Sequence, residues 1–340
     1  MTKCLVLFFC IFFVKINAQT KQIQNIVFEG AGIRGLGYAG AIKALDSAKV
    51  LPNIKRIGGT SAGAITAVLL SVGYTATEIE QIISTTKFQK FNDGGIPFFG
   101  GLHRLTKHYG WYKGNKFENW LSQLITAKTG NANITLQQLA TQYKPIYVTG
   151  TCLNLQKLII FSAETYPQML AKDAVRISMC IPFYYHAILL DSVGNIKHKQ
   201  NKKHPYNVLV DGGNTCNFPI AIFDSTKYMD TKLPNTFAVN PYSIGFRMDR
   251  KEQIKLDSDG NHTALSPIPI YNITKFSRAF FILLFQQMTR YKLTQADWER
   301  SICIDDAAID PKIKKMSRTQ INSLVHNGYE ATTNYLKLHN

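Results

Sequence analysis

Ile54-Lys55-Arg56-Ile57-Gly58-Gly59-Thr60-Ser61-Ala62-Gly63 decides how this chain of 340 residues is read. Its first part is a short run of strand character, from Ile54 to Ile57. Gly59 to Gly63 then spell G-x-S-x-G, and Ala62 to Val72 continue as small and apolar residues that can pack on both sides of a helix. A strand, a sharp turn and a helix form the setting in which a serine hydroxyl stands clear of a sheet. The flanking glycines, Gly59 and Gly63, allow a strained backbone and close approach of neighbouring elements. The helix start directs free N–H groups and a positive dipole end at the serine. Ser61 is therefore the candidate nucleophile.

Working outward, Ile26-Val27-Phe28 leads into Gly30-Ala31-Gly32-Ile33-Arg34-Gly35. Read literally, this loop is a dinucleotide fingerprint, which also requires an acidic residue about 20 positions on, at the end of the second strand. The sequence there is Asn53 to Gly59 without a carboxylate, which counts against a nicotinamide site. An oxyanion loop suits the segment better, because small residues bring N–H groups close to a developing negative oxygen. A base is still needed. None of the eight histidines lies in a triad context, and His186, after Phe183-Tyr184-Tyr185, reads as a packed core or rim residue. Asp211 follows Val208-Leu209-Val210 and precedes Gly212-Gly213, so its carboxylate emerges at a strand end, where α/β sites form. Partly apolar surroundings raise a carboxylate's pKa and make it a usable base.

Together the three segments resemble the patatin-like phospholipases. That family and the cytosolic phospholipase group use a Ser-Asp dyad without histidine, beside a glycine-rich loop that contains Arg or Lys. The resemblance implies Ser61 as nucleophile and Asp211 as base, with Gly30, Gly32, Ile33, Arg34 and Gly35 as oxyanion stabilisers. Arg34 would brace the loop or face a lipid phosphate. Arg176-Ile177-Ser178-Met179-Cys180-Ile181-Pro182 is similar to the family's small-residue helix ending in proline. Leu324 to Ala331 is similar to its closing helix, so the likeness spans about residues 24–336. Ala31, where a third glycine is usual, and the Phe183–Leu190 region depart from the pattern. The implied fold is a three-layer α/β/α arrangement with a central, mostly parallel sheet. The implied activity is lipid acyl hydrolysis of phospholipase A or lysophospholipase type, on a phospholipid or other acyl lipid, with neither cofactor nor metal. A non-phospholipid esterase, a triacylglycerol lipase and a catalytically idle membrane-binding effector remain alternatives, and a protein activator stays open.

Composition narrows the setting. The chain carries 39 Lys and Arg against 22 Asp and Glu, a formal charge of +17. A basic surface favours polyanions, meaning nucleic acid or an anionic membrane. No zinc-knuckle spacing or RNA-binding signature supports nucleic acid. H-E-x-x-H and calcium-loop patterns are likewise absent. Residues 1–18 have the anatomy of a signal peptide: Lys3, the apolar run Leu5 to Val14, and Ile16-Asn17-Ala18. Cleavage after Ala18 would make the protein exported, whether secreted, periplasmic or outer-membrane associated; an uncleaved signal anchor is the rival reading. Lys3 and Lys15 leave with it and no acid does, so +17 becomes +15. Cys152, Cys180, Cys216 and Cys303 remain, which permits two disulfides in three pairings; the apolar surroundings of Cys152 and Cys180 favour thiols.

The strand–helix alternation predicts one parallel-sheet domain over 19–340, with a core at about 24–225 and a C-terminal helical part at about 265–336. Helices are expected at 36–48, 62–72, from Thr77 with Thr75 or Thr77 as cap, at 276–288, and at 317–336 behind Ser317. Strands are expected at 54–57, 146–149 and 157–161. Residues 92–116 read as a long loop or lid, with Ile96-Pro97-Phe98-Phe99 as an aromatic tip for a membrane. The run Phe280 to Phe285 reads as core or acyl-channel lining. Residues 194–206 read as a polar insertion, whose Lys197, Lys199, Lys202 and Lys203 would attract anionic headgroups.

Overall fold

In the computed structural model, which describes residues 22–94, 98–229, 231, 233–310 and 316–339, apolar runs and glycine turns build eleven strands. They are β1 (Asn25–Phe28), β2 (Arg56–Gly59), β3 (Gly110–Tyr112), β4 (Ile146–Cys152), β5 (Lys157–Phe161), β6 (Phe183–Tyr185), β7 (Ile188–Leu190), β8 (Ile196–Lys197), β9 (Asn207–Asp211), β10 (Ser243–Asp249) and β11 (Ser301–Asp305). Nine form one sheet in the order β11-β10-β1-β2-β4-β9-β7-β8, with β5 paired to β4, while β3 and β6 pair separately. From β11 to β4 the neighbours are parallel; β9, β7, β8 and β5 join antiparallel.

Side chains alternate across a strand, so each sheet face has its own cover. Ile26 and Phe28 of β1 lie level with Ile244 and Phe246 of β10 and belong to the main core. Helices Gly37–Ser47 and Arg318–His339, packed along one another, and helix Ala62–Ser71 contribute buried residues to that core. Every residue of Ala62–Ser71 is buried, as its small apolar composition requires. On the opposite face Val27 packs with Tyr147 and Phe223. There too the fully buried Arg247 pairs with Asp249 at 2.9 Å and lies 4.8 Å from the Trp298 ring, and Gln286 of helix Ile273–Arg290 donates to Asp249 at 3.0 Å. The fold is three-layer α/β/α.

Local signals set several boundaries. Thr75 caps helix Ala76–Thr85 through a reciprocal box with Glu78, and Ser317 accepts the Gln320 N–H ahead of helix Arg318–His339. Three expectations need correction. Residues 92–116 are not one long loop: they contain helix Phe98–His108 and β3. Gly100 and Gly101 weaken the helix signal, but Gly101 lies against the Trp111 ring and Arg104 donates to the Trp111 carbonyl at 2.8 Å. Second, the stretch expected as a C-terminal helical part also supplies β11. Third, Phe280–Phe285 is not uniformly core: Phe280, Leu283 and Leu284 are exposed. Residues 1–18, Ile96 and Pro97, and the side chains of Phe98, Phe99, Phe281 and Phe285, lie outside the described residues. The four described cysteines are free thiols, with Cys152 and Cys180 buried.

Candidate active site

The site is created at one edge of β4. Val148 pairs with Gly59 of β2 and also with Phe161 of β5, while Gly150 pairs with Asp211 of β9 and with Ile159 of β5. Since β5 occupies one edge of β4, β2 and β9 share the other. β2 stops at Gly59 and β9 arrives from the opposite direction at Asp211, two positions further along β4. The chain leaves the sheet at both points, at Thr60-Ser61 and at Gly212-Gly213. Between them, the Thr149 hydroxyl bonds the Thr60 hydroxyl at 2.7 Å. Ser61 and Asp211, 150 residues apart in the chain, thus meet head-on.

Ser61 has φ 52° and ψ −120°, a conformation that costs a non-glycine residue roughly 1–3 kcal/mol. Its surroundings hold it there. The Ser61 N–H donates to Ser178 Oγ at 2.8 Å, and the Gly63 N–H closes the turn onto the Thr60 carbonyl at 2.7 Å. Gly63 seats the helix start on the end of β1: a Cβ there would lie 2.3 Å from the Phe28 carbonyl oxygen. The Ser61 hydroxyl donates to Asp211 Oδ2 at 2.8 Å and approaches Met179 Sδ at 3.5 Å.

Asp211 is buried, with Oδ1 accepting the Gly213 N–H at 2.7 Å. Burial pushes its carboxyl up to about 6, against the pull of the Gly213 N–H and the Ser61 hydroxyl. The backbone behind it is tied down, its N–H donating to the Cys180 carbonyl at 2.9 Å and its carbonyl accepting from Thr151 and Asn214. His186 stacks on His108 with ring centroids 4.6 Å apart. Burial pushes its imidazole down to about 4, so it is neutral at ordinary pH.

The glycine loop becomes a 3-10 turn, Gly32–Leu36, in which Gly32 takes φ 56°. Ala31 has φ −134°, open to any residue, which explains why alanine fits where the resemblance leads one to expect glycine. Such a turn leaves its first N–H groups without intrahelical carbonyls, here those of Gly32 and Ile33. The Gly30 N–H is already committed to the Asn217 carbonyl at 3.0 Å. Asn217 answers by donating Nδ2 to the Gly30 carbonyl at 2.9 Å and to Glu29 at 3.2 Å. Arg34 spans from its own loop, donating to the Ala31 carbonyl at 3.2 Å, across to Asp306 at 2.9 Å. Gly35 packs on Ala62 beside the elbow, where Gly59 meets the backbone of Gly63. Sequence reasoning did not find Asn217 as a partner of the loop. It stands six residues beyond Asp211, but nothing local marks its role. Ser178 lies inside the Arg176–Pro182 stretch without announcing its bond to Ser61.

Ser61, Asp211 and the loop line a cavity of about 480 Å³, with Ile181, Pro182, Met248 and Ile282 supplying apolar wall. A second hollow of about 370 Å³, between Tyr109, Leu153 and Phe183, is lined by no acid, base or nucleophile. The arrangement can therefore pair a strained serine with a buried base beside an apolar chamber.

Residues 26–224, more than half of the chain, match the family model described as patatin-like phospholipase. Uncharacterized protein R571 of Acanthamoeba polyphaga mimivirus is 32% identical over 219 residues, 64% of this chain and 66% of R571. The match thus spans just under two thirds of that relative. Probable lipid hydrolase 463L of invertebrate iridescent virus 6 is 28% identical over 64% of this chain and 68% of its own length. VipD of Legionella pneumophila shares the fold, with a TM-score of 0.54 at 15% identity over 94% of this chain and 67% of VipD. On the family match, and with the fold and the elbow in place, the chain belongs to the patatin-like phospholipases.

Proposed function

We propose that this protein is a lipid acyl hydrolase that cleaves carboxylic esters through Ser61 and Asp211, by way of an acyl-enzyme. One observation carries the proposal: a serine hydroxyl donates at 2.8 Å to a buried carboxylate on the wall of a largely apolar cavity. Family membership and the printed name of 463L support the same class of substrate. Asp211 takes the hydroxyl proton as Ser61 Oγ bonds to the ester carbonyl carbon. The N–H groups of Gly32 and Ile33, and the helix dipole behind Ser61, face the negative oxygen that develops. Collapse of this intermediate transfers the proton to the departing alcohol and leaves Ser61 acylated. Water, deprotonated by Asp211, then releases the fatty acid. A carboxyl near 6 is ionised at neutral pH yet basic enough to assist, so no histidine is needed. The finer reading is phospholipase A or lysophospholipase chemistry, with Ile181, Pro182 and Ile282 against the acyl chain.

The test is fatty-acid release from mixed phospholipid vesicles, with hydrolysis of a monomeric soluble ester alongside. Ser61→Ala is expected to lower both rates by about a thousandfold or more. The rate should fall about tenfold per pH unit below about 6 and level off above it. Activity surviving in folded Ser61→Ala would overturn the mechanism. A folded wild type that cleaves neither substrate and does not react with a fluorophosphonate would overturn the hydrolase reading in favour of an idle, membrane-binding protein. We extend the proposal to export after cleavage at Ala18, which N-terminal sequencing of the natural protein checks.

A further inference from the structure

Helix Ile273–Arg290 both borders the cavity and carries an exposed apolar stripe. Ser277, Ile282 and Gln286 line the cavity that holds Ser61. Around the helix from Ile282 and Gln286, Ile273, Phe276, Phe280, Leu283 and Leu284 recur at helical spacing and all face water. Ile273 is 76% exposed, Phe276 55% and Leu284 45%. Tyr271 and Tyr291 extend the ridge at both ends. The cavity wall opposite includes Ile181 and Pro182, and the next residue, Phe183, is 75% exposed. Phe183 is held at φ 66°, a conformation that a bulky residue adopts only when its surroundings impose it. A contiguous apolar surface of this kind is rare on a monomer without a partner.

We infer that this face, the ridge Tyr271–Tyr291 with Phe183 across the cavity mouth, docks on an anionic lipid surface. The inference rests on the hydrolase reading for its purpose, and on geometry and charge for its occupant. Both apolar rims continue residues of the cavity wall, so whatever covers the face also covers the route to Ser61. The ridge is flanked by basic residues only: residues 261–296 contain no Asp or Glu but include Lys275 and Lys292. Anionic headgroups complement such a segment. No described helix is long and apolar enough to cross a membrane. A helix with one apolar stripe and basic flanks lies along the interface and buries that stripe at the headgroup boundary.

The experiment is co-sedimentation of the purified protein with vesicles of phosphatidylcholine alone and of phosphatidylcholine with phosphatidylglycerol. The wild type is compared with a triple variant, Ile273→Ser, Phe276→Ser and Leu284→Ser. Binding should require phosphatidylglycerol, weaken as salt rises, and fall by roughly tenfold or more in the triple variant. Hydrolysis of the monomeric soluble ester should stay unchanged, since these three side chains are outside the cavity wall. Undiminished vesicle binding by the folded triple variant overturns the assignment. So does a solution dimer that the triple variant dissociates, which would make the face a contact between copies. If the triple variant fails to fold, Ile273→Trp replaces it. Its emission should shift to the blue and be quenched by brominated lipid, and an unchanged spectrum on bound protein refutes the docking. The two proposals fail separately: a protein that binds through this ridge but cleaves no ester keeps the surface and loses the enzyme.

Discussion

Replacing Asp211 by asparagine should make the protein more stable while removing the proposed base. The side chain keeps its size, and the amide oxygen can still accept the Gly213 N–H that now bonds Oδ1. What disappears is the burden of an ionised group in a buried place. Burial lifts this carboxyl from an ordinary 3.8 to about 6. The folded state therefore binds the proton more tightly than the unfolded chain does, and the wild type loses stability as pH rises through that window. Taking those two values, the loss is under about 1 kcal/mol at pH 4 and about 3 kcal/mol at pH 7. The amide of Asp211→Asn does not titrate, so the variant's advantage should grow by about 2 kcal/mol between pH 4 and pH 7, on top of a constant offset from exchanging acid for amide. Urea unfolding of both proteins across this range, with equal m values, reads the difference directly. A stability difference that stays flat with pH, or that shrinks as pH rises, would refute the claim that burial sets the base.

Two further substitutions test the scaffold around the pair. Asn217→Ala removes the donor to the Gly30 carbonyl and to Glu29, and should lower kcat on a soluble ester by about tenfold or more with KM little changed, because the loop matters most when charge develops; equal losses in binding and turnover would show a merely structural role. Gly63→Ala places a methyl 2.3 Å from the Phe28 carbonyl oxygen and should cost roughly 1–3 kcal/mol in urea unfolding, with slower fluorophosphonate labelling of Ser61. An unaffected variant would mean that the helix start is not pinned to β1.

What was legible in the sequence was local. The strand, turn and helix around Ser61 are written in adjacent residues, and Asp211 follows an apolar run that ends at a strand terminus. β10 escaped because Ser243-Ile244-Gly245-Phe246-Arg247-Met248-Asp249 carries two charges through a fully buried strand. Their pairing with one another and with Gln286 and Arg290 of one distant helix makes that tolerable, and sequence order hides it. Asn217 and Ser178 were missed for the same reason: their bonds reach 187 and 117 residues across the chain. Helix Ile273–Arg290 posed the opposite problem. A run of aromatic and aliphatic residues signals burial by composition, but nothing in the run states that one side would be left uncovered.

The junction on β4 also sets an order of events. β2, which delivers Ser61, and β4 are complete by residue 152, whereas Asp211 comes on a later strand that must add antiparallel to the same edge. Contacts of such long sequence separation form late and slowly. A chain still on the ribosome and not yet extended to β9 therefore holds Ser61 without its partner carboxylate, however well its first strands have paired. The pair Ser61–Asp211 exists only once β9 has joined β4, so a copy that stops short of that strand lacks the site altogether.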